Sequence, residues 1–320
     1  MEYAFVTGAT GLLGNNVVRA LLKRNIKVKA LVRSVEKAKK QFGSLPVEFV
    51  EGDMLNVEAF AHALQGCDAL FHTAAYFRDS YKGGKHWQKL YDTNVTGTER
   101  LLQAAYDAGI RRAVHTSSIA VLKGNRDQVI DETMSRSELE ADDYYLSKIL
   151  SEQKVQQFLT QHPDMFIAMV LPGWMFGPGD IGPTSSGQFL LDFVGQKNCP
   201  VYCPEAFSVV DARDVAEHQI AAITRGRSGE RYLAAGNHMD MKSIFPGAVQ
   251  RQWHKSPRAK KCPCSCCESS RLSMKVIIGS PKTGAHQYLH GQAHGARTRP
   301  HSFQPQQKFT GVGVQVPPCC

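Results

Sequence analysis

No apolar run in the 320-residue chain reaches the roughly 18 residues that a membrane-spanning helix needs. That removes a membrane from the expected partners. The opening residues, Met1-Glu2-Tyr3-Ala4-Phe5-Val6, carry neither a basic segment nor a small-residue cleavage site, the marks of a secretory leader. The expected location is therefore cytoplasmic. Nine cysteines do not suggest a disulfide scaffold in a chain this long. Cys67, Cys199 and Cys203 are scattered, and the other six crowd beyond residue 261. Acidic residues are nearly missing from the end of the chain. Residues 243–320 hold eleven Lys and Arg but a single acid, Glu268, whereas residues 1–242 hold 27 basic and 28 acidic side chains. The net charge of +9 thus belongs to the tail, and no nucleic-acid surface is expected on the main domain.

With 42% hydrophobic residues, the chain can build a substantial core. Short apolar runs rich in β-formers lie at residues 3–7, 28–32, 47–50, 69–72, 113–116 and 166–171. Amphipathic stretches alternate with them at 12–24, 57–64, 86–108 and 145–160. This alternation predicts βαβ units on a parallel, doubly wound α/β sheet of the Rossmann type over residues 1–171. Residues 172–245 are richer in turns, with a helix predicted at 215–224, opened near Asp214, and a strand at 231–234. They are expected to form a small substrate lobe, left incomplete. Residues 246–320 have no periodicity and read as a separate basic, Cys- and Pro-rich tail.

The predicted first strand feeds Gly8-Ala9-Thr10-Gly11-Leu12-Leu13-Gly14 and then a helix. That order of strand, glycines and helix is what a dinucleotide pyrophosphate requires. Gly8 permits a tight turn, Gly11 presents no side chain to the phosphates, and Gly14 lets helix and strand pack closely. Arg33 follows strand two, where an acid would bind the ribose 2′-hydroxyl of NAD and an arginine suits the 2′-phosphate of NADP. NADP is the expected cofactor, a solvated surface arginine being the other reading. Asp53, in Glu51-Gly52-Asp53-Met54, is placed to meet adenine or to form a plain turn. Tyr144 and Lys148 are four apart on one helical face, and the lysine is expected to lower the phenol's pKa. Tyr145 has Ile149 at that spacing and reads as packing.

Together these motifs resemble the extended short-chain dehydrogenase/reductases, closest to their dihydroflavonol-4-reductase-like branch. The resemblance covers about residues 2–245. It is carried by the glycine loop, Gly52-Asp53, His72-Thr73-Ala74-Ala75, Asn94-Val95-Thr96-Gly97-Thr98, Thr116-Ser117-Ser118, Tyr144 to Lys148, Leu171-Pro172-Gly173 and Gly177-Pro178-Gly179. It implies Tyr144 as general acid, Lys148 as its partner on the nicotinamide ribose, and Ser118 as a hydrogen-bond donor to the substrate oxygen. Cofactor contacts are implied for Gly8, Thr10, Gly11, Leu12, Leu13, Gly14, Arg33, Asp53, Met54, Thr73, Ala74, Ala75, Thr116, Pro172, Gly173 and Met175. Asn94 is expected to be structural. Tyr76, Phe77 and Trp174 are candidates for a substrate wall suited to a flat or apolar carbonyl compound. The helices at 86–108 and 145–160 are candidates for a homodimer interface.

The expected activity is NADP-dependent carbonyl reduction. A nucleotide-sugar epimerase or dehydratase using NAD, and a cofactor-binding protein without turnover, are the rivals. After about residue 246 the resemblance stops. Cys262-Pro263-Cys264-Ser265-Cys266-Cys267 lacks the two separated Cys-x-x-Cys pairs of a structural zinc site, and no metal is expected. A basic interaction tail and a shifted reading frame near codon 246 are the two other readings, the second being preferred for the abrupt change in charge and composition.

Overall fold

The computed structural model describes residues 1–77, 84–125, 128–194 and 206–244. The tail at 246–320 lies outside the described residues, as do Tyr81, Cys199 and Cys203. Strands β1 (Tyr3–Thr7), β2 (Lys27–Val32), β3 (Val47–Glu51), β4 (Ala69–His72), β5 (Arg112–Thr116) and β6 (Phe166–Pro172) fall within one residue of the apolar runs at each end. Residues along them alternate between two cores. Ala4 and Val6 face one hydrophobic cluster and Phe5 the other, as the two-residue period of a strand requires. Burial on both faces is why these strands read as continuous apolar runs.

Helices α1 (Leu12–Leu22) and α2 (Val35–Phe42) follow β1 and β2. Residues 57–64 do not form the expected helix. They make two 3-10 turns, Val57–Ala59 and Ala61–Leu64, broken at Phe60, whose backbone leaves the helical region at φ −116° and ψ 1°. The Phe60 ring stacks on Phe5 at 6.1 Å, so core packing fixes the break. The long helix expected at 86–108 is present but interrupted. Helix α3 (Trp87–Leu90) passes through a π-helical stretch, Tyr91–Thr96, into α4 (Gly97–Asp107). Helix α5 (Asp143–Gln161) is capped by Asp142, which accepts from Tyr145 N at 2.8 Å.

Beyond β6 the chain forms β7 (Trp174–Phe176), α6 (Ser185–Val194), β8 (Ala206–Asp211), α7 (Ala212–Arg225), β9 (Arg231–Ala234), β10 (Asn237–Asp240) and α8 (Met241–Ile244). Helix α7 starts three residues earlier than expected. Its cap is Asp211, which accepts from Arg213 N at 2.8 Å, and not Asp214. Two segments expected in the small lobe belong to the main body. Helix α7 packs beside α1, and β9 pairs with β6 as the seventh strand of the sheet. The main sheet runs β3-β2-β1-β4-β5-β6-β9 with every pairing parallel, the Rossmann order extended by one strand. A second sheet, β10-β8-β7, joins β7 parallel and β10 antiparallel to β8.

Candidate active site

Because all seven strands point the same way, the loops after them open on one edge. The glycine loop follows β1, Arg33 follows β2, and Asp53 and Met54 follow β3. Thr73, Ala74, Ala75, Tyr76 and Phe77 follow β4, Thr116 ends β5 just before Ser118, and Pro172 and Gly173 close β6. Tyr144 and Lys148 come to the same edge from the start of α5.

The three loop glycines differ in what they do. Gly8 has φ +64°, and a Cβ on it would lie 2.7 Å from Ala74 N. A Cβ on Gly14 would lie 2.2 Å from Gly8 O, so the helix sits on the strand too closely for any side chain. A Cβ on Gly11 meets Gly8 O at 3.2 Å and nothing else nearby among the described residues, which leave space open above the helix start. Gly11 opens α1 with no side-chain cap and no acid in the first turn. Leu12 and Leu13 are buried, which leaves their backbone N–H groups as what they can offer a ligand.

Lys148 is buried, and its Nζ donates to Thr116 O at 2.7 Å. Burial pulls the ammonium down to about 8, against the pull of Glu152. Tyr144 hydrogen-bonds Ser118, and the Phe77 ring meets it edge-on at 4.6 Å. The expected lowering of the phenol's pKa by Lys148 is not found. Burial, then the charge of Asp142, push Tyr144 above its ordinary range, and only the Ser118 hydrogen bond opposes them. The phenol is therefore protonated at neutral pH.

Asn94 holds the loop after β4. Its Oδ1 accepts from Tyr76 N at 2.7 Å, and its Nδ2 donates to Tyr76 O at 3.1 Å and Ser147 Oγ at 3.0 Å. Asn94 thus ties its own helical stretch to this loop and to α5. Asn94 lies in the π-helical stretch, and such bulges often occur at functional sites. The other candidates have contacts or exposure of their own. Asp53 accepts from Leu55 N at 3.0 Å, the plain-turn reading. Met54 is part of the core. Trp174 lies against Phe176, Phe189 and Phe207 at 4.8, 5.5 and 5.0 Å, an aromatic cluster of the second sheet and α6. Arg33 is exposed beside Ser34, the cap of α2.

Residue spacing did not reveal a clasp across the glycine loop. Asn16 Nδ2 donates to Pro178 O at 2.9 Å, and Gln41 Nε2 reaches both Thr10 O at 3.3 Å and Gly179 O at 3.4 Å. The Gly177-Pro178-Gly179 turn is thereby bound to α1 and α2. It also did not reveal a buried polar chain beneath Lys148. Thr7 Oγ1 and Thr98 Oγ1 flank His72 at 2.8 and 2.9 Å, and Ser151 Oγ lies 3.2 Å from His115 Nε2.

The two imidazoles sit 5.3 Å apart, each 2% exposed. Burial, aided by Lys148, lowers His72 to about 3 and His115 well below the usual histidine range. Both are neutral in the native protein, whereas the unfolded chain protonates them below about pH 6.5. The unfolded state then binds more protons, so this part of the stability falls as pH falls from about 6.5 toward the native values. At pH 5 each histidine is expected to cost about 2 kcal/mol relative to pH 8. Asp142, raised to about 6 by burial, and Glu152, also raised, act in the opposite direction. The histidine share is therefore read as a difference. Urea unfolding from pH 8 to 5 should be less pH-dependent in His115→Gln than in the wild type, by up to about 1.4 kcal/mol per pH unit. Parallel curves would show that His115 is not held neutral.

The family model for the NAD dependent epimerase/dehydratase family matches residues 4–235. The chain belongs to that family. Sterol demethylase protein B of Methylococcus capsulatus is 37% identical to it over 254 residues, covering 79% of this chain and 75% of that protein. A Synechocystis protein provisionally named dihydroflavonol 4-reductase is 36% identical over 251 residues, covering 75% and 70% of the two chains. The crystal structure of yeast methylglyoxal/isovaleraldehyde reductase Gre2 complexed with NADPH has the same fold, with a TM-score of 0.66 at 24% identity over 76% of this chain and 83% of that one.

As a member of this family of extended short-chain dehydrogenase/reductases, the chain is an NAD(P)-dependent Rossmann-fold enzyme. The nicotinamide dinucleotide that the family uses fits the residues present. The start of α1 is uncapped and carries no acid, and the open face of Gly11 lies beside it. An anionic pyrophosphate satisfies both conditions.

Proposed function

We propose that this family member is an NADP-dependent carbonyl reductase with Ser118, Tyr144 and Lys148 as its catalytic set. The observation that carries the reading is the hydrogen-bonded Tyr144–Ser118 pair standing beside a buried Lys148 on the carboxyl edge of the sheet. Bound NADPH supplies the hydride. Tyr144, held protonated by burial, gives its proton to the carbonyl oxygen. Ser118 donates a second hydrogen bond to the oxygen as negative charge develops there. The Ser118 hydrogen bond favours the phenolate that remains, and Lys148 hydrogen bonds to the nicotinamide ribose. Arg33 pairs with the 2′-phosphate, for which it is exposed and placed after β2. Phe77, edge-on to Tyr144, gives the substrate side an aromatic wall and favours a flat or apolar carbonyl compound. The relatives named as reductases support the same activity class.

Fluorescence titration is expected to show NADPH binding at least tenfold tighter than NADH, and Arg33→Asp is expected to erase that difference (about 1.4 kcal/mol or more). Equal affinities in the wild type would remove NADP from the reading. Binding of the cofactor without turnover of any member of an aldehyde and ketone panel would overturn the reductase itself.

A further inference from the structure

Behind Lys148 lies a buried group of charges that the proposed chemistry does not use. Glu152 follows Lys148 by one helical turn on α5, so the two share a face. Lys148 is 2% and Glu152 3% exposed. From β9, the guanidinium of Arg231 reaches Glu152 Oε2 at 2.7 Å. Its other nitrogen donates to Met134 O at 3.0 Å and Ser135 Oγ at 3.2 Å, which fixes it in place. The carboxylate is therefore paired with an anchored guanidinium and shares a helix face with the active-site ammonium. A buried carboxylate is tolerated only when paired and hydrogen-bonded.

We propose that Glu152, anchored by Arg231, is a positioning residue that keeps Lys148 charged. The role of Lys148 in turnover rests on the reductase reading; the charge relation does not. The groups facing Lys148 come from three elements. His72 on β4 and His115 on β5 are neutral and supply no counter-charge, which leaves Glu152 on α5. Glu152 is the group that raises the ammonium's pKa against its burial. Burial raises the pKa of Glu152, and the groups that face it, Arg231, Ser117 and Lys148, oppose that shift and favour its charged form. Lys148 at about 8 sits close to neutral pH, so a modest loss of counter-charge would leave the amine neutral during turnover.

The test is an NMR titration of the full chain labelled with 13Cε-lysine, the Lys148 signal being assigned with Lys148→Met. Glu152→Gln keeps size and one acceptor oxygen and removes the charge. Its Lys148 is expected to deprotonate about one pH unit or more below the wild-type value. Glu152→Asp, which keeps the charge, is expected to restore most of that shift. In turnover, the alkaline limb of kcat/KM should move down by the same amount in Glu152→Gln. An unmoved Lys148 titration, with only a lower thermal midpoint, would overturn the proposal and leave a structural ion pair. Should Glu152→Gln not fold, Arg231→Met removes the competing cation. Coupling then moves the Lys148 titration, and an unmoved one again overturns the proposal. A wild type that reduces no carbonyl would sink the reductase reading while leaving this titration fully informative.

Discussion

Tyr144→Phe is expected to lower kcat for carbonyl reduction by a factor of about 100 to 10,000 while leaving NADPH affinity within about twofold of the wild type. The substitution removes one hydroxyl and keeps the ring that packs against Phe77 and Tyr145. What is lost is the proton offered to the oxygen as the hydride arrives. The remaining donor, Ser118, also loses its hydrogen-bond partner. Because burial keeps the phenol protonated well beyond neutral pH, the alkaline decline of the wild type should follow Lys148, near 8, and not Tyr144. Stopped-flow single-turnover rates, set beside a binding isotherm, separate the two effects. Full activity in Tyr144→Phe would remove Tyr144 as the acid.

The second large effect is expected at the glycine loop, where two alanine substitutions should fail in different ways. In Gly14→Ala the new Cβ lies 2.2 Å from Gly8 O and 2.8 Å from Thr73 Oγ1. The helix has to back away from the strand, and overpacking of this kind costs about 3 kcal/mol, more than the roughly 1 kcal/mol alanine gains over glycine in a helix. For a body of this size the melting temperature should fall by roughly 4 to 8 °C. Gly11→Ala meets Gly8 O at 3.2 Å and is otherwise unobstructed. It should leave the melting temperature nearly unchanged and weaken dinucleotide binding tenfold or more, because the methyl group enters the space above the helix start. Calorimetry of both variants with and without NADPH is the check. A stable Gly14→Ala would contradict the close packing, and unaltered binding by Gly11→Ala would contradict the proposed pyrophosphate site.

What could be read from the sequence was what is local. The glycines of Gly8-Ala9-Thr10-Gly11-Leu12-Leu13-Gly14 and the four-residue spacing of Tyr144 and Lys148 act within one turn of chain, and both lie where they were expected. The strands were legible because burial on both faces makes each an apolar run. The stretch at 57–64 misled because its apolar spacing is helical while the demand of the Phe60 ring for the Phe5 face is tertiary. Asp214 misled in the same way, since Asp211 and Asp214 are equally good caps by composition and only the end of β8 chooses between them. The direction of the Tyr144 shift was misjudged because a lysine four residues away was counted and burial was not. The contacts of Gln41 with Thr10 and Gly179, and of Arg231 with Glu152, join residues far apart in the chain, where no spacing rule applies.

The packing of α1 against α7 has a consequence for how the protein is made. Val17, Val18 and Leu21 of α1 share one hydrophobic cluster with Val215, Ala216 and Ile220 of α7. On the ribosome the first helix emerges long before its partner, by roughly ten to forty seconds at ordinary elongation rates. Throughout that interval the nascent chain shows an apolar stripe, and once β6 has emerged it also shows an unpaired β6 edge that only β9 will cover. This is the form in which a chaperone would meet it. A polypeptide released before β9 would carry the complete glycine loop together with a permanently open sheet.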